Sequence, residues 1–487
     1  MHVGDEAATY GEDCLYLNVY IPLDSSINSS NINNSLSQMS LPVMVWIHGG
    51  GYTIGAGSQY PGTSLAAQGV VLVTINYRLD VFGFTSTEDD VMPGNYGMLD
   101  QIAALRWVKD NIAGFGGDPN MVTVFGESAG ASSVSLLMLS PLAKGLFHRG
   151  IMESGSSLCP WATKQPANRV SPAMVARLVG AGVGCDDLTN SSNLLACLQN
   201  VDSQKLLNTS LTVTQAVQDL LIYSPRVETS FGFLPDLPVN LLIRREFNHV
   251  DTLSGFNGDE TGGYLPFAGV SSIEAARHVM DLLLRQFTDV DKGLIRRLLE
   301  SHYLANTTSG LANTTSGGDS DLLQQHLLDS LDDFMYAGPA VEELHHVALG
   351  AQEKSHYLYE FRYRPAFHRD PQWTQAFHAD ELGYVFGIQQ PSFVDHNGSP
   401  PDKDDILVSQ QMMQRWANFA KTGVPSSSGQ SDTVWNVYSP TSPEYLEISP
   451  NSTMRTWSRP TLQRLYKNII NIMAFGDDST GVDLIIG

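Results

Sequence analysis

A serine set between two glycines is the first residue whose surroundings suggest chemistry. In "MVTVFGESAGASS", Met121 to Ser133, an apolar strand-like run leads through Gly126, Glu127, Ser128, Ala129 and Gly130 into a helix-like run. A G-x-S-x-G segment between strand and helix can form a tight turn that holds the serine in strained geometry above a sheet, its glycines leaving room around it. The pentapeptide alone would arise by chance about 0.4 times in a chain of this composition, so its context must decide. A serine hydroxyl also needs a base to take its proton and donors to hold the oxyanion that forms. For the donors, "WIHGGGY", Trp46 to Tyr52, ends an apolar run with three glycines after His48. Such a loop can aim the N–H groups of Gly50 and Gly51 at a substrate carbonyl, with the N–H of Ala129 as a third donor. His48 reads as a structural hydrogen-bonding residue. The base and its orienting acid cannot be chosen by counting, because the chain has 13 histidines and 51 carboxylates.

The elements that must carry these groups follow from the hydrophobic pattern. "LPVMVWI" and "GVVLVTINY" are continuous apolar runs, as expected of strands buried on both faces. "NYGMLDQIAALRWVKDNI", Asn95 to Ile112, places Met98, Leu99, Ile102, Leu105 and Val108 at helical spacing. "DPN" reads as a turn, "MVTVF" as a strand, "SSVSLLMLS" as a helix and "RGIMES" as a strand. That alternation predicts an α/β fold with a mostly parallel sheet covered on both faces. Ser171 to Leu242 reads as mixed, largely helical inserted material, and "HVDTLSGFN" as a return to the sheet. Helical segments from Ile273 to His302, a strand in "KSHYLYEFRY" and a late helix in "ILVSQQMMQRWANFAKTG" stopped by Gly423 complete the pattern. The direct repeat "LANTTSGLANTTSG", Leu304 to Gly317, and the tract from Ser25 to Gln38 read as polar loops. "GAGVGC", Gly180 to Cys185, lacks the preceding strand of a dinucleotide motif and reads as a helix end.

Composition narrows the function classes. The 487 residues are 42% hydrophobic and 16% charged, as in a globular protein, and no apolar run approaches the length of a membrane span. A formal net charge of -23, with no cluster of lysine and arginine, argues against nucleic acid as a partner. His345 and His346 lack a metal-ligand pattern. Four cysteines are too few for a disulfide scaffold, although Cys185 and Cys197 flank a segment short enough for a bridge to close. Sequons for N-glycosylation start at Asn28, Asn33, Asn190, Asn208, Asn306, Asn313, Asn397 and Asn451, which fits a secretory protein. "MHVGDEAATYGEDC" has neither the basic start nor the apolar core of a signal peptide, so the expectation is either a truncated N-terminus or a chain that is not secreted.

Longer blocks carry a resemblance. "GEDCLYLNVYIP", "VMVWIHGGGY", "INYRLDVFGF", "PGNYGMLDQIAALRWVKDNIAGFGGDP", "VTVFGESAGASSVSLLMLSP" and "FHRGIMESGSSLCPW" resemble, in order, blocks of the type-B carboxylesterase family. This is the cholinesterase and carboxylesterase branch of the α/β-hydrolases. The likeness continues through "GFNGDETGG" and "FHADELGYVFG" and implies one α/β-hydrolase domain over residues 1–487, with large insertions. It implies Glu260 as the acid and His378 as the base, and the order Ser128, Glu260, His378 agrees with α/β-hydrolase chain order. Asp259, Asp380 and Glu381 stay as rival carboxylates. The same resemblance sets Glu127 near the base, makes Trp161 a wall residue on the acyl side, and joins the spacing in favour of a Cys185–Cys197 disulfide. It implies an ester hydrolase without metal or cofactor, a small-molecule ester as partner, a homodimer as an admissible assembly, and a secreted or secretory-lumen location.

Departures from the family set further expectations. The family has a substantial segment before the "EDCLYLNV" block, including partners for the positions of Cys14 and Glu12. The expectation is an unpaired Cys14, a Glu12 without its ion partner and reduced stability from exposed strand edges. The aromatic pair that cholinesterases carry after the acid is replaced by "TGGY", which favours a general carboxylic ester over acetylcholine. Neuroligin-like adhesion proteins share the fold without hydrolysis and are the alternative reading. They generally lose a triad residue, whereas all three candidates stand here.

Overall fold

The structure is a computed structural model that describes residues 11–22, 36, 39–164, 170–217, 222–264, 270, 272–287, 292–304, 317–365, 368, 371–388, 400–426, 433–457, 466 and 468–469. Most of the two polar tracts, and the sequons at Asn28, Asn33, Asn306, Asn313 and Asn397, lie outside the described residues.

Among the described residues nine strands form one sheet: β1 (Leu17–Tyr20), β2 (Leu41–Ile47), β3 (Val71–Ile75), β4 (Gly117–Glu127), β5 (Arg149–Glu153), β6 (Asp251–Asn257), β7 (His356–Phe361), β8 (Glu444–Ile448) and β9 (Thr453–Thr456). Their spatial order is β1-β3-β2-β4-β5-β6-β7-β8-β9. The pairs from β3 to β8 are parallel, and only β1 on β3 and β9 on β8 are antiparallel. The continuous apolar run of β2 has the cause expected of it. Val43, Val45 and Ile47 join one core cluster, while Met44 and Trp46 point the opposite way into another.

Helices cover both faces. Those that matter below are α1 (Tyr96–Asn111), α2 (Ala129–Leu139), α3 (Pro172–Val183), α4 (Ser191–Leu198), α5 (Ser203–Val217), α6 (Ile273–Phe287), α7 (Lys292–Leu299), α8 (Gly317–Asp332), α9 (Gly338–Gly350) and α10 (Lys403–Thr422). Helix α10 ends where Gly423 takes φ +78°, and α3 ends where Gly184 takes φ +93°, so both helix stops read from sequence hold. "DPN" differs from its reading as a free turn. It lies within β4, where the pairing with β2 jumps from Leu41–Gly117 to Val43–Val122, so the turn residues form a bulge that the strand absorbs.

In a parallel sheet, ligands bind beyond the carboxyl ends of the strands. The register brings those ends together: Ile47 pairs with Gly126, Glu127 with Glu153, Glu153 with Gly255, and Asn257 with Phe361. The loops after β2, β4 and β6 therefore open onto one edge.

Candidate active site

Ser128 sits where β4 gives way to α2, with φ 57° and ψ −123°. A left-handed φ on a non-glycine residue is a strained geometry that the surroundings must enforce. Here Ser128 N–H donates to Glu153 O at 2.9 Å, and its carbonyl accepts from Ser132 N–H at 2.9 Å. The flanking glycines answer to space. A Cβ on Gly130 would lie 2.0 Å from Ile47 O, and one on Gly126 would lie 2.6 Å from both Ile47 O and the Gly130 carbonyl carbon. Strand β2 and helix α2 could not cross so closely with side chains there.

The glycine loop after β2 borders this turn, because a Cβ on Gly49 would come within 3.1 Å of Ser128 Cβ. Gly50 has φ +105°, and its carbonyl accepts from the N–H groups of Thr53 and Ile54, both at 3.1 Å. Among the described residues no hydrogen bond takes the N–H of Gly50, Gly51 or Ala129. His48 is fully buried and stacked on Tyr77 at 4.5 Å, and its Nδ1 lies 2.8 Å from Gly49 O. Burial pushes its pKa down to about 4, which suits a structural residue.

His378 and Glu260 meet across 118 residues of sequence. His378 Nδ1 lies 2.7 Å from Glu260 Oε2, whose other oxygen accepts from Asn257 N–H at 2.7 Å. Backbone bonds hold the two loops in register: His378 N–H to Glu260 O at 3.1 Å and Asp259 N–H to Ala376 O at 3.0 Å. The rival carboxylates are engaged elsewhere. Asp259 accepts from Gln375 N–H at 2.6 Å, Asp380 pairs with His368 at 2.8 Å, and Glu381 accepts from Asn257 Nδ2 at 2.5 Å.

The second nitrogen of His378 turns to Glu127, with Nε2 3.0 Å from Oε1. No hydrogen bond among the described residues joins the Ser128 hydroxyl to His378. Burial raises the Glu127 pKa to about 7, with Glu260 adding to the rise and His378 opposing it. Burial alone would lower His378. The Glu127 charge, then Tyr264 and Glu260, outweigh it and hold the imidazole well above its usual value. Beneath this pair lie two more buried carboxyls, Glu153, raised by burial to about 8, and Glu381, raised well above the carboxylate range by burial and by Glu127.

Two aromatic residues that sequence reasoning missed flank His378. Tyr336 lies on a π-helical turn, Asp333–Ala337, between α8 and α9, with its ring 4.8 Å from that of His378. Tyr264, 62% exposed, lies 6.1 Å from the same ring. Trp161 stands behind Tyr336 at 5.7 Å, and its Nε1–H donates to Met335 O at 3.1 Å. A tyrosine within "DDFMYAGPA" carries no local signal of such a place.

A family model described as "Carboxylesterase family" matches residues 2–466. The chain belongs to the carboxylesterase family. This carboxylesterase-family chain is 36% identical to liver carboxylesterase 1 of Oryctolagus cuniculus over 437 residues, which are 86% of this chain and 71% of the relative. It is 38% identical to carboxylesterase 1C of Rattus norvegicus over 429 residues, 86% of this chain and 70% of the relative. It is also 33% identical to neuroligin-2 of Mus musculus over 485 residues, 93% of this chain and 55% of the relative. The family accounts for the α/β-hydrolase architecture of the sheet. Away from the site, Cys185 and Cys197 are joined as the spacing and resemblance implied, while Cys14 and Cys159 are free. No helix among the described residues is long and apolar enough to cross a membrane.

Proposed function

We propose that this chain hydrolyses carboxylic esters through an acyl-enzyme on Ser128, with His378 as base and Glu260 as its orienting acid. The observation that carries the reading is the 2.7 Å contact of His378 with Glu260, placed on the same sheet edge as a serine held at positive φ. Ser128 Oγ attacks the ester carbonyl as His378 Nε2 takes its proton, and the N–H groups of Gly50, Gly51 and Ala129 receive the oxyanion. Glu260 fixes the tautomer by accepting from Nδ1–H and stabilises the imidazolium. The alcohol leaves with the proton from His378, and a water activated by the same nitrogen releases the acid.

The contact of Nε2 with Glu127 adds one requirement to this cycle. The imidazole must exchange its Glu127 partner for the serine hydroxyl before the first proton transfer. Glu127 is thus a positioning residue that sets how readily the base is neutral. Trp161, backing Tyr336, supports an aromatic wall beside the base. The Cys185–Cys197 bridge supports an oxidising location such as the secretory lumen.

The similarity to neuroligin-2 supports a second reading, a binding protein without turnover. Hydrolysis of short and longer p-nitrophenyl esters by purified chain, alongside Ser128→Ala, separates the two. Turnover that falls roughly 10³-fold or more in the variant is the expected result. A folded wild type that is inactive on every ester favours binding, and activity retained by Ser128→Ala would remove Ser128 from the mechanism.

A further inference from the structure

We propose that Asn208 on α5 carries an N-linked glycan, and that the glycan is attached before α5 docks on the body of the protein. The sequon is Asn208-Thr209-Ser210. A sequon is recognised through the hydroxyl at its third position as well as the asparagine amide, and the fold treats these two groups in opposite ways. Asn208 is exposed, its Oδ1 accepts from Gln204 Nε2 at 3.1 Å, and no hydrogen bond among the described residues takes its Nδ2. A sugar on Nδ2 therefore breaks no contact. Ser210 is wholly buried, and its hydroxyl donates to Asp80 Oδ1 and bonds the Tyr223 hydroxyl at 2.8 Å. Neither that hydroxyl nor an extended backbone at 208–210 can be offered once α5 has formed and docked.

The surroundings of Asn208 suit a sugar. It lines an open groove of about 580 Å³ between α3 and α5 with Asp202, Gln204, Lys205, Thr209 and Thr212, so a sugar there has room and meets both polar and apolar surface. The two helices are fastened beside it, since a Cβ on Gly182 would lie 2.5 Å from Thr209 Cγ2 and Lys205 Nζ donates to Val183 O at 2.8 Å. The Cys185–Cys197 bridge, which joins the end of α3 to α4, indicates independently the oxidising compartment in which such transfer takes place. In the transfer the C1–O bond of a lipid-pyrophosphate oligosaccharide breaks and a C1–Nδ2 bond forms. The lipid pyrophosphate leaves with the electron pair and the amide gives up one proton.

Asn451 supplies an internal comparison, because the third residue of its sequon, Thr453, is exposed. The experiment directs the full chain into the lumen of eukaryotic cells with an added leader and maps occupied asparagines by the isotopic tag left on enzymatic deglycosylation. Separately, unglycosylated full chain, folded or reduced and unfolded, is presented to a solubilised lumenal oligosaccharyltransferase with its lipid-linked donor. Occupied Asn208 in cells, with modification in vitro of the unfolded chain only, is the expected result. Asn208→Gln should remove one glycan and keep an acceptor for Gln204. Ser210→Ala is the poorer control, because it would strip the buried Asp80 of a donor. An unoccupied Asn208 in a chain that has formed its Cys185–Cys197 bond overturns the assignment, and equal modification of folded and unfolded chain overturns the order of events.

Discussion

Replacing Glu127 by glutamine tests how the environment of His378, the proposed base, sets its pH dependence. His378 Nε2 lies 3.0 Å from a Glu127 oxygen in a largely buried site, and the Glu127 charge is the largest of the influences that raise the imidazole. Opposite charges about 4 Å apart interact by roughly 4 kcal/mol at an effective dielectric constant near 20, which would amount to about 3 pH units. Burial pushes the Glu127 carboxyl up to about 7, which reduces its charge near neutrality. A shift of about 1 to 2 units is the expected remainder. The sign follows from the role: the base must be neutral, so kcat/KM rises as pH passes upward through the His378 pKa. In the wild type this acid limb should lie above the ordinary histidine range. In Glu127→Gln it should move to lower pH, with a side chain of nearly the same shape left in place. The assay is kcat/KM for a soluble p-nitrophenyl ester from pH 5 to pH 9, with circular dichroism checking the fold at each end. An acid limb that stays put, or moves upward, would refute the assignment of Glu127 as the group that holds the imidazolium.

Other parts of the structure predict further results. Glu153 is fully buried and held to about 8, above its ordinary 4.5, by burial, with Glu127 adding to the rise. The folded chain therefore keeps a proton that the unfolded chain releases, so this group makes stability fall between about pH 4.5 and pH 8. Glu153→Gln keeps an acceptor for Trp416 Nε1–H, now 2.8 Å from Glu153, and should flatten that fall in thermal melts; an unchanged slope would contradict it. The disulfide closes a loop with a sequence separation of 12. Replacing Cys185 and Cys197 together by serine should cost roughly 2–3 kcal/mol in denaturant unfolding, and no loss would mean that the bridge contributes nothing to stability.

The parts of the fold written in local pattern were legible. The helix read over Asn95 to Ile112 is α1, Tyr96–Asn111, because its apolar residues recur at helical spacing and face the core. The double-sided apolar runs of β2 and β3 announced central parallel strands for the same reason. The serine turn and the glycine loop were legible because both are short-range steric devices, confirmed by the distances a Cβ would meet at Gly130 and Gly50. What remained hidden depends on distant segments. His378 and Glu260 were named from resemblance, since no spacing rule links residues so far apart. Tyr336 reaches His378 from a turn between two helices, and Glu153 and Glu381 lie under the site because neighbouring strands and loops bring them there. Burial of these carboxyls next to one another conflicts with their local polarity, so no periodicity could have revealed it.

Labelling by a fluorophosphonate tests the central claim most directly. Purified, monodisperse chain is treated with the reagent and the adduct is located by peptide mass, with His378→Ala as the comparison. The account predicts one modified residue, Ser128, and loss of the label in the variant. A folded wild type left unlabelled at Ser128, or a label that persists undiminished without His378, would contradict it.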